Sequence, residues 1–308
     1  MDNLKVVFIG FGSIAKKHFS ALKSLINCET YALRSSIDAL PILDVSNIFS
    51  FQEIADINPH FVIISNPTYK HEETIMKLIP FGIPLFIEKP SLFRLVNADR
   101  IDSLLSEGKI NTYVACNLRF LDCLIFLRDS DILSDNRLNE VNVYAGSYLP
   151  AWRPDVNFKE IYSANKDMGG GVHLDMIHEL DYMYWLFGKP ERVHSNSRSV
   201  SSLQIDAIDS AHYNLIYPEF TANVTLNYFR RDYKRTLELV FHNATYLVDL
   251  KENSVTKNGD ELIYKSDQKI VDTYLRQMKY FIKYISDPNA NSLNSFTDSI
   301  NVLKIALA

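Results

Sequence analysis

Cysteine is scarce in this sequence of 308 residues: Cys28, Cys116 and Cys123 are all there is. An odd count without metal-type spacing excludes a disulfide framework and a thiolate metal site. The three are read as reduced thiols of an intracellular protein. Long apolar runs are missing as well, and none reaches the length that spans a bilayer, so a helical membrane protein is excluded. The opening residues MDNLKVVFIG lack a signal-peptide layout and lead directly into a strand, so the cytoplasm is the expected location. The net charge is only -5. Acidic and basic residues are interspersed, and no basic stripe suits a nucleic acid. Internal repeats and low-complexity tracts are absent. Glycine, 10 residues in all, gathers at 10–12 and 169–171.

Hydrophobic residues make up 47% and aromatic residues 12% of the chain. That is enough for sizeable cores, and the length suits about two domains. Residues 4–9 (LKVVFI) read as a strand buried on both faces of a parallel sheet. They run into GFGSIA, residues 10–15, and then a helix over 14–24. The pattern is a G-x-G-x-x-A dinucleotide turn in its required strand-to-helix setting. Gly10 permits the tight turn, Gly12 a close backbone approach to a pyrophosphate, and Ala15 the packing of helix on strand. The helix N-terminus offers free N–H groups to phosphates. A second strand, 30–33, ends not in an acid for the ribose hydroxyls of NAD but in Arg34-Ser35-Ser36. That favours NADP over NAD. Short apolar strands at 60–65, 85–87 and 113–116 alternate with helices, as in a doubly wound parallel sheet. Their carboxyl ends lead into Asn66-Pro67, Glu88-Lys89-Pro90 and Asn117, where ligands bind in such sheets.

The stretch 169–188, GGGVHLDMIHELDYMYWLFG, reads as a glycine loop feeding one amphipathic helix. Met176, Ile177, Leu180, Met183, Tyr184 and Phe187 share one face. Asp175, His178 and Glu179 share the other, with Asp181 at its margin. The polar face suits a proton relay or a solvated surface equally well.

Taken in order, GFGSIA at 10–15, NPTYKH at 66–71, EKP at 88–90, NLRF at 117–120 and GGGVHLDMIHELD at 169–181 resemble the glucose–fructose oxidoreductase, inositol dehydrogenase and MocA-like (Gfo/Idh/MocA) oxidoreductases. The resemblance covers most of the chain. It implies an α/β architecture: a Rossmann domain over 1–118, and over 119–308 an α+β domain with a large open, mainly antiparallel sheet used for substrate binding and dimerisation. It implies Lys89, Asp175 and His178 as catalytic residues. The expected cofactor contacts are Gly10, Phe11, Gly12, Ser13, Ile14, Arg34, Ser35, Ser65, Asn66, Pro67, His71, Glu88, Lys89 and Asn117. Many members space the pair D-x-x-x-H, whereas this chain has D-x-x-H. A branch with the shorter spacing also carries the segment found here as Tyr148-Leu149-Pro150-Ala151-Trp152-Arg153-Pro154.

Past Arg119 the pattern turns to β-type segments at 140–147, 192–200, 207–217, 219–228, 235–241 and 244–250, with Asn258-Gly259 as a turn. Residues 149–163 form a candidate substrate loop. Trp152 suits stacking on a sugar face or filling a gap. Arg153 suits a carboxylate or phosphate, or a capping role. Tyr162 is added by the resemblance alone. His173 is read as a packing residue, and His18, His60, His194, His212 and His242 as structural or solvated. Helices are expected at 271–285 and from 295 onward, with Asp287-Pro288-Asn289 between them.

The leading functional reading is hydride transfer between a nicotinamide cofactor and a carbinol or carbonyl carbon of a sugar, cyclitol or nucleotide-linked sugar. No metal is needed, because the cofactor carries the hydride chemistry. Either His178 or Lys89 handles the hydroxyl proton. The alternatives are a cofactor-binding regulator without turnover, and an NADP-dependent reductase of a non-sugar. The expected partners are a polyhydroxylated small molecule and further copies of the chain, as a homo-dimer or homo-tetramer through the second sheet.

Overall fold

The computed structural model describes residues 4–134, 137–287 and 289–308. The expected breaker Pro288 lies outside them. The chain opens with β1 (Leu4–Ile9), α1 (Ser13–Leu25), β2 (Cys28–Leu33), β3 (Ser46–Ile48), α2 (Phe51–Ile57), β4 (Phe61–Ile64) and α3 (His71–Leu78). Next come β5 (Leu85–Ile87), α4 (Ala98–Glu107), β6 (Thr112–Val114), α5 (Asp122–Asp129), β7 (Leu138–Tyr148), α6 (Val172–Asp175) and α7 (His178–Phe187). The remainder is β8 (Arg192–Arg198), β9 (Ser210–Ile216), β10 (Thr221–Asn227), β11 (Phe229–Phe241), β12 (Thr245–Asp249), β13 (Ser254–Lys257), β14 (Glu261–Lys265), α8 (Thr273–Ser286) and α9 (Phe296–Ala306).

These elements form two compact units, one of residues 1–116 and 274–300, the other of 117–273 and 301–308. Residues 274–300 therefore cluster with the first unit, although a linear division at 118/119 puts them in the second half. The described strands of the first unit form a six-stranded sheet in the order β3-β2-β1-β4-β5-β6, with every pairing parallel. The order reverses between β1 and β4, the switch point where doubly wound sheets bind ligands. Val6, Val7, Phe8 and the whole of β4 are inaccessible to solvent, as a sheet covered on both faces requires. Phe281 of α8 fills one side of this core, with ring centroids 5.3 Å from Phe61 and 5.2 Å from Phe86. Short α2 starts at a capping box in which Ser50 and Glu53 satisfy each other's backbone N–H groups.

The described strands of the second unit form an eight-stranded sheet ordered β14-β13-β12-β11-β7-β10-β9-β8. It is antiparallel except for β7 and β10, which run parallel at its centre. Alternation fixes its faces. Val141, Val143 and Ala145 of β7 are buried. Asn142 on the opposite face joins a ladder in which the Asn214 amide donates to Asn223 and the Asn223 amide to Asn142. The single helix expected over the second glycine run is instead two, α6 and α7. They break at Met176 and Ile177, where Met176 leaves helical geometry with φ -99° and ψ 31°. Of the two readings left open for its polar face, the solvated one fails: Asp175, His178, Glu179 and Asp181 are all buried.

Candidate active site

In the first unit the site residues gather around the ends of β1, β4 and β5. Gly10 adopts φ +78°, and a Cβ there would lie 3.0 Å from the Asn66 backbone. A side chain is thus excluded by both conformation and space. Gly12 differs, since its Cβ would meet nothing within 4 Å. It precedes α1, which has no side-chain cap and no acid in its first turn. The first N–H groups of α1, from exposed Ser13 and half-buried Ile14, have no intrahelical acceptor and no side-chain cap. Ser65 donates to the carbonyls of Ile9 and Gly10 at 3.3 and 3.2 Å, which ties the β4 end to the turn. Phe11 is not a free loop residue, because its ring packs against Phe8 and Phe19.

The Arg34 Nη1 donates to Asn47 Oδ1 at 3.1 Å and to the Leu40 carbonyl at 3.4 Å. That guanidinium is held at the end of β2 beside exposed Ser35, while Gly10 donates its N–H to Leu33 of the same strand end. The chain after β4 passes exposed Pro67 into a short 3-10 turn and then α3. His71 is buried. Its Nε2 lies 3.0 Å from the Asn66 carbonyl, and its Nδ1 lies 3.1 and 3.2 Å from the carbonyls of Pro90 and Ser91. Burial pushes its imidazole pKa below the ordinary value. Glu88 is also buried and meets His18, which the sequence had placed among the residues without a role. Lys89 is half-buried in the turn between these two histidines.

In the second unit the centre is Asp175. Its Oδ1 accepts from the Tyr162 hydroxyl at 2.7 Å, and its Oδ2 from the Tyr228 hydroxyl at 2.5 Å. Burial, and then the charge of Asp175, push both phenol pKa values well above 10, so both tyrosines remain donors. Trp152 is part of the same cluster: it meets the Tyr228 ring edge-on at 5.4 Å, and its indole N–H donates to Ser147 at 2.8 Å. Arg153 is exposed, and its charge acts on the Tyr162 hydroxyl. Tyr228 escaped the sequence reading. Its only signal was a tyrosine at the end of a strand, and its partner lies 53 residues away.

His178 opens α7 and is buried. The two acidic residues of this helix make ion pairs. Glu179 accepts from Arg235 at 2.5 and 3.1 Å. Burial opposes the Arg235 charge, but the adjacent carboxylate outweighs it and holds the guanidinium above its usual value. Asp181 accepts from Arg119 at 2.9 and 2.8 Å, with both side chains almost fully buried. Asn117 is buried in this unit, and its amide donates to Thr273 at 2.7 Å. His173 packs over Gly171, and burial pulls its pKa down to about 4 despite the nearby Asp175 charge. Among the described residues, no group of three or more His, Cys, Asp or Glu is placed to hold a metal ion, and no helix is long and apolar enough to cross a membrane.

Comparison with known proteins identifies the two domains. Residues 4–115 match the profile of an oxidoreductase family with an NAD-binding Rossmann fold. Residues 126–247 match the GFO/IDH/MocA C-terminal domain. An uncharacterized oxidoreductase of Synechocystis is 22% identical over 232 residues, 73% of this chain and 62% of that protein. Inositol 2-dehydrogenase of Rhizobium meliloti is 26% identical over 192 residues, 59% of this chain and 54% of that one. The chain thus spans less than two thirds of the length of either curated relative. Among solved structures, UDP-N-acetylglucosamine 3-dehydrogenase GnnA from Acidithiobacillus ferrooxidans shares the fold, with a TM-score of 0.80 over 100% of this chain and 96% of that one at 17% identity. By its two matched domains, this chain belongs to the Gfo/Idh/MocA family of oxidoreductases.

Proposed function

We propose that the protein is a nicotinamide-dependent oxidoreductase acting on a CH–OH or carbonyl carbon of a sugar, cyclitol or nucleotide-linked sugar. The reading rests on an open Gly12 ahead of an uncapped helix in the first unit and, taken by itself, on the buried carboxylate Asp175 held by two phenols in the second. The residues present fit a dinucleotide. The N–H groups of Ser13 and Ile14 would hold its pyrophosphate, and Ser65, Asn66, Pro67, His71, Glu88 and Lys89 would line its path. Arg34 and Ser35 suit a 2′-phosphate, because the Arg34 hydrogen bonds among the described residues run from Nη1 alone. NADP is therefore favoured over NAD. When bound, the nicotinamide supplies or accepts the hydride.

The protein's own groups manage the hydroxyl proton. His178 is the acid/base, and the Lys89 ammonium orients the reacting oxygen. Asp175 receives substrate hydroxyls and is kept in place by Tyr162 and Tyr228. Trp152 and Arg153 contact the remainder of the substrate. The inositol 2-dehydrogenase and UDP-N-acetylglucosamine 3-dehydrogenase relatives support a polyhydroxylated substrate. Self-association as a homo-dimer or homo-tetramer through the open face of the second sheet belongs to the same reading.

Fluorescence titration with NADPH and NADH tests the cofactor. Tighter NADPH binding is expected, with the preference lost in Arg34→Ala. A screen of sugars and sugar nucleotides then tests the chemistry. Lys89→Ala and His178→Ala should each lower turnover by roughly a hundredfold. Near-normal turnover in both would end the assignment.

A further inference from the structure

His18 lies on the inner face of α1 and is fully buried. Its ring meets Phe86 edge-on at 4.8 Å and Tyr274 at 5.6 Å. In such surroundings a leucine or phenylalanine would pack without polar atoms to satisfy. Histidine brings two nitrogens, and Nδ1 has no hydrogen-bond partner among the described residues. An orphaned buried polar atom is retained at a cost, so what histidine contributes must be at Nε2. That atom makes a short hydrogen bond to Glu88 Oε1. The other carboxylate oxygen of Glu88 accepts the backbone N–H of Lys89 at 3.2 Å. The far side of the turn is held by His71, through the carbonyls of Pro90 and Ser91.

We propose that His18 is a positioning residue for Lys89. Its Nε2–H fixes the Glu88 carboxylate, the carboxylate fixes the Lys89 amide, and the direction in which the lysine leaves the turn follows. The link joins the helix that begins at the dinucleotide turn to the lysine of the EKP turn. For the reaction, the inference rests on the oxidoreductase reading above. The positioning itself is testable without any cofactor.

The test compares His18→Leu, which fills the space without a donor, and His18→Gln, which restores one. The first readout is the rate at which Lys89 of the cofactor-free protein is trapped by pyridoxal phosphate and borohydride, followed by mass spectrometry. His18→Leu should raise that rate severalfold and His18→Gln should return it toward wild type. The second readout is kinetic. Misplacing a reacting group by about 1 Å costs up to roughly a hundredfold. His18→Leu should therefore lose at least about tenfold in kcat with little change in KM or NADPH affinity, and His18→Gln should recover most of it. Unchanged Lys89 trapping in folded His18→Leu overturns the proposal. If His18→Leu does not fold, Glu88→Gln takes its place: unchanged trapping there refutes the link equally. If the wild type binds no nicotinamide nucleotide, the functional reading fails, and the trapping experiment still decides the positioning role.

Discussion

Two glycine-marked junctions, one in each unit, lead a loop into a helix, yet they use glycine in opposite ways. At the first, the Gly12 Cβ position faces nothing within 4 Å, and α1 starts without a cap. At the second, a Cβ on Gly170 would lie 2.1 Å from the Tyr162 carbonyl and 2.7 Å from that of Asn165. The loop N–H groups there are spent on the chain itself, from Gly170 to Asn165, Gly171 to Ser163 and Val172 to Ile208. One junction leaves the space beside it open and its helix start uncapped, as the proposed nucleotide site requires. The other closes space to bring Tyr162 against Asp175. The same letter in a sequence therefore marks a vacancy in one place and a close-packed contact in the other.

The comparison breaks most sharply under a single methyl group. Gly170→Ala should destabilise the protein by more than about 4 kcal/mol, the range of severe backbone and packing conflicts. Gly12→Ala should leave thermal unfolding unchanged and weaken only nucleotide binding. Equal melting temperatures for the two variants would refute the contrast. A somewhat smaller loss is expected from Arg119→Met. It strands Asp181 as a buried unpaired charge and should cost about 3–4 kcal/mol in chemical denaturation. An effect below about 1 kcal/mol would mean that Asp181 finds water instead.

Acid provides a third test, specific to the second junction. The pKa of His173 falls to about 4 in the fold, against about 6.5 in an unfolded chain. Between those values the unfolded state binds the extra proton. Stability is then full above about pH 6.5 and declines toward pH 4, on the order of 3 kcal/mol in all. His173→Phe should flatten that slope in urea unfolding, and an unaltered slope would assign the pH dependence elsewhere. The smallest expected change is from Tyr228→Phe. Removing one donor from Asp175 should cost about 1–2 kcal/mol of stability. Its effect on turnover, if Asp175 binds substrate, should exceed that of the more accessible Tyr162→Phe.

The contrast also explains what could be read from the chain before folding. GFGSIA, EKP and the short apolar strands are contiguous, and their physics is local: a turn that needs glycine, a strand buried on both faces, a free helix start. Their placement followed directly. The centre of the second unit is assembled from distant positions. Asp175 meets Tyr228 at a separation of 53 residues, and Glu179 meets Arg235 at 56. No period or motif announces such pairs, and periodicity alone could not tell a buried polar face from a wet one. The break between α6 and α7 was hidden for a similar reason, since neither Met176 nor Ile177 is a helix breaker. The short strands β3, β13 and β14, and the parallel pairing of β7 with β10, are decided by neighbours rather than by their own sequence. His18 was passed over because its partner, Glu88, lies 70 residues away.

The discontinuity of the first unit has a consequence for the making of the protein. Phe281 completes the aromatic core around Phe61 and Phe86, and the Asn294 side chain and carbonyl pair with Val114. A ribosome adding roughly 5–20 residues per second reaches that segment on the order of ten seconds after residue 116. During that interval the nascent nucleotide-binding sheet carries an uncovered apolar face. Emergence of residues 274–300, rather than of the first 116 residues alone, is the event that lets this unit close.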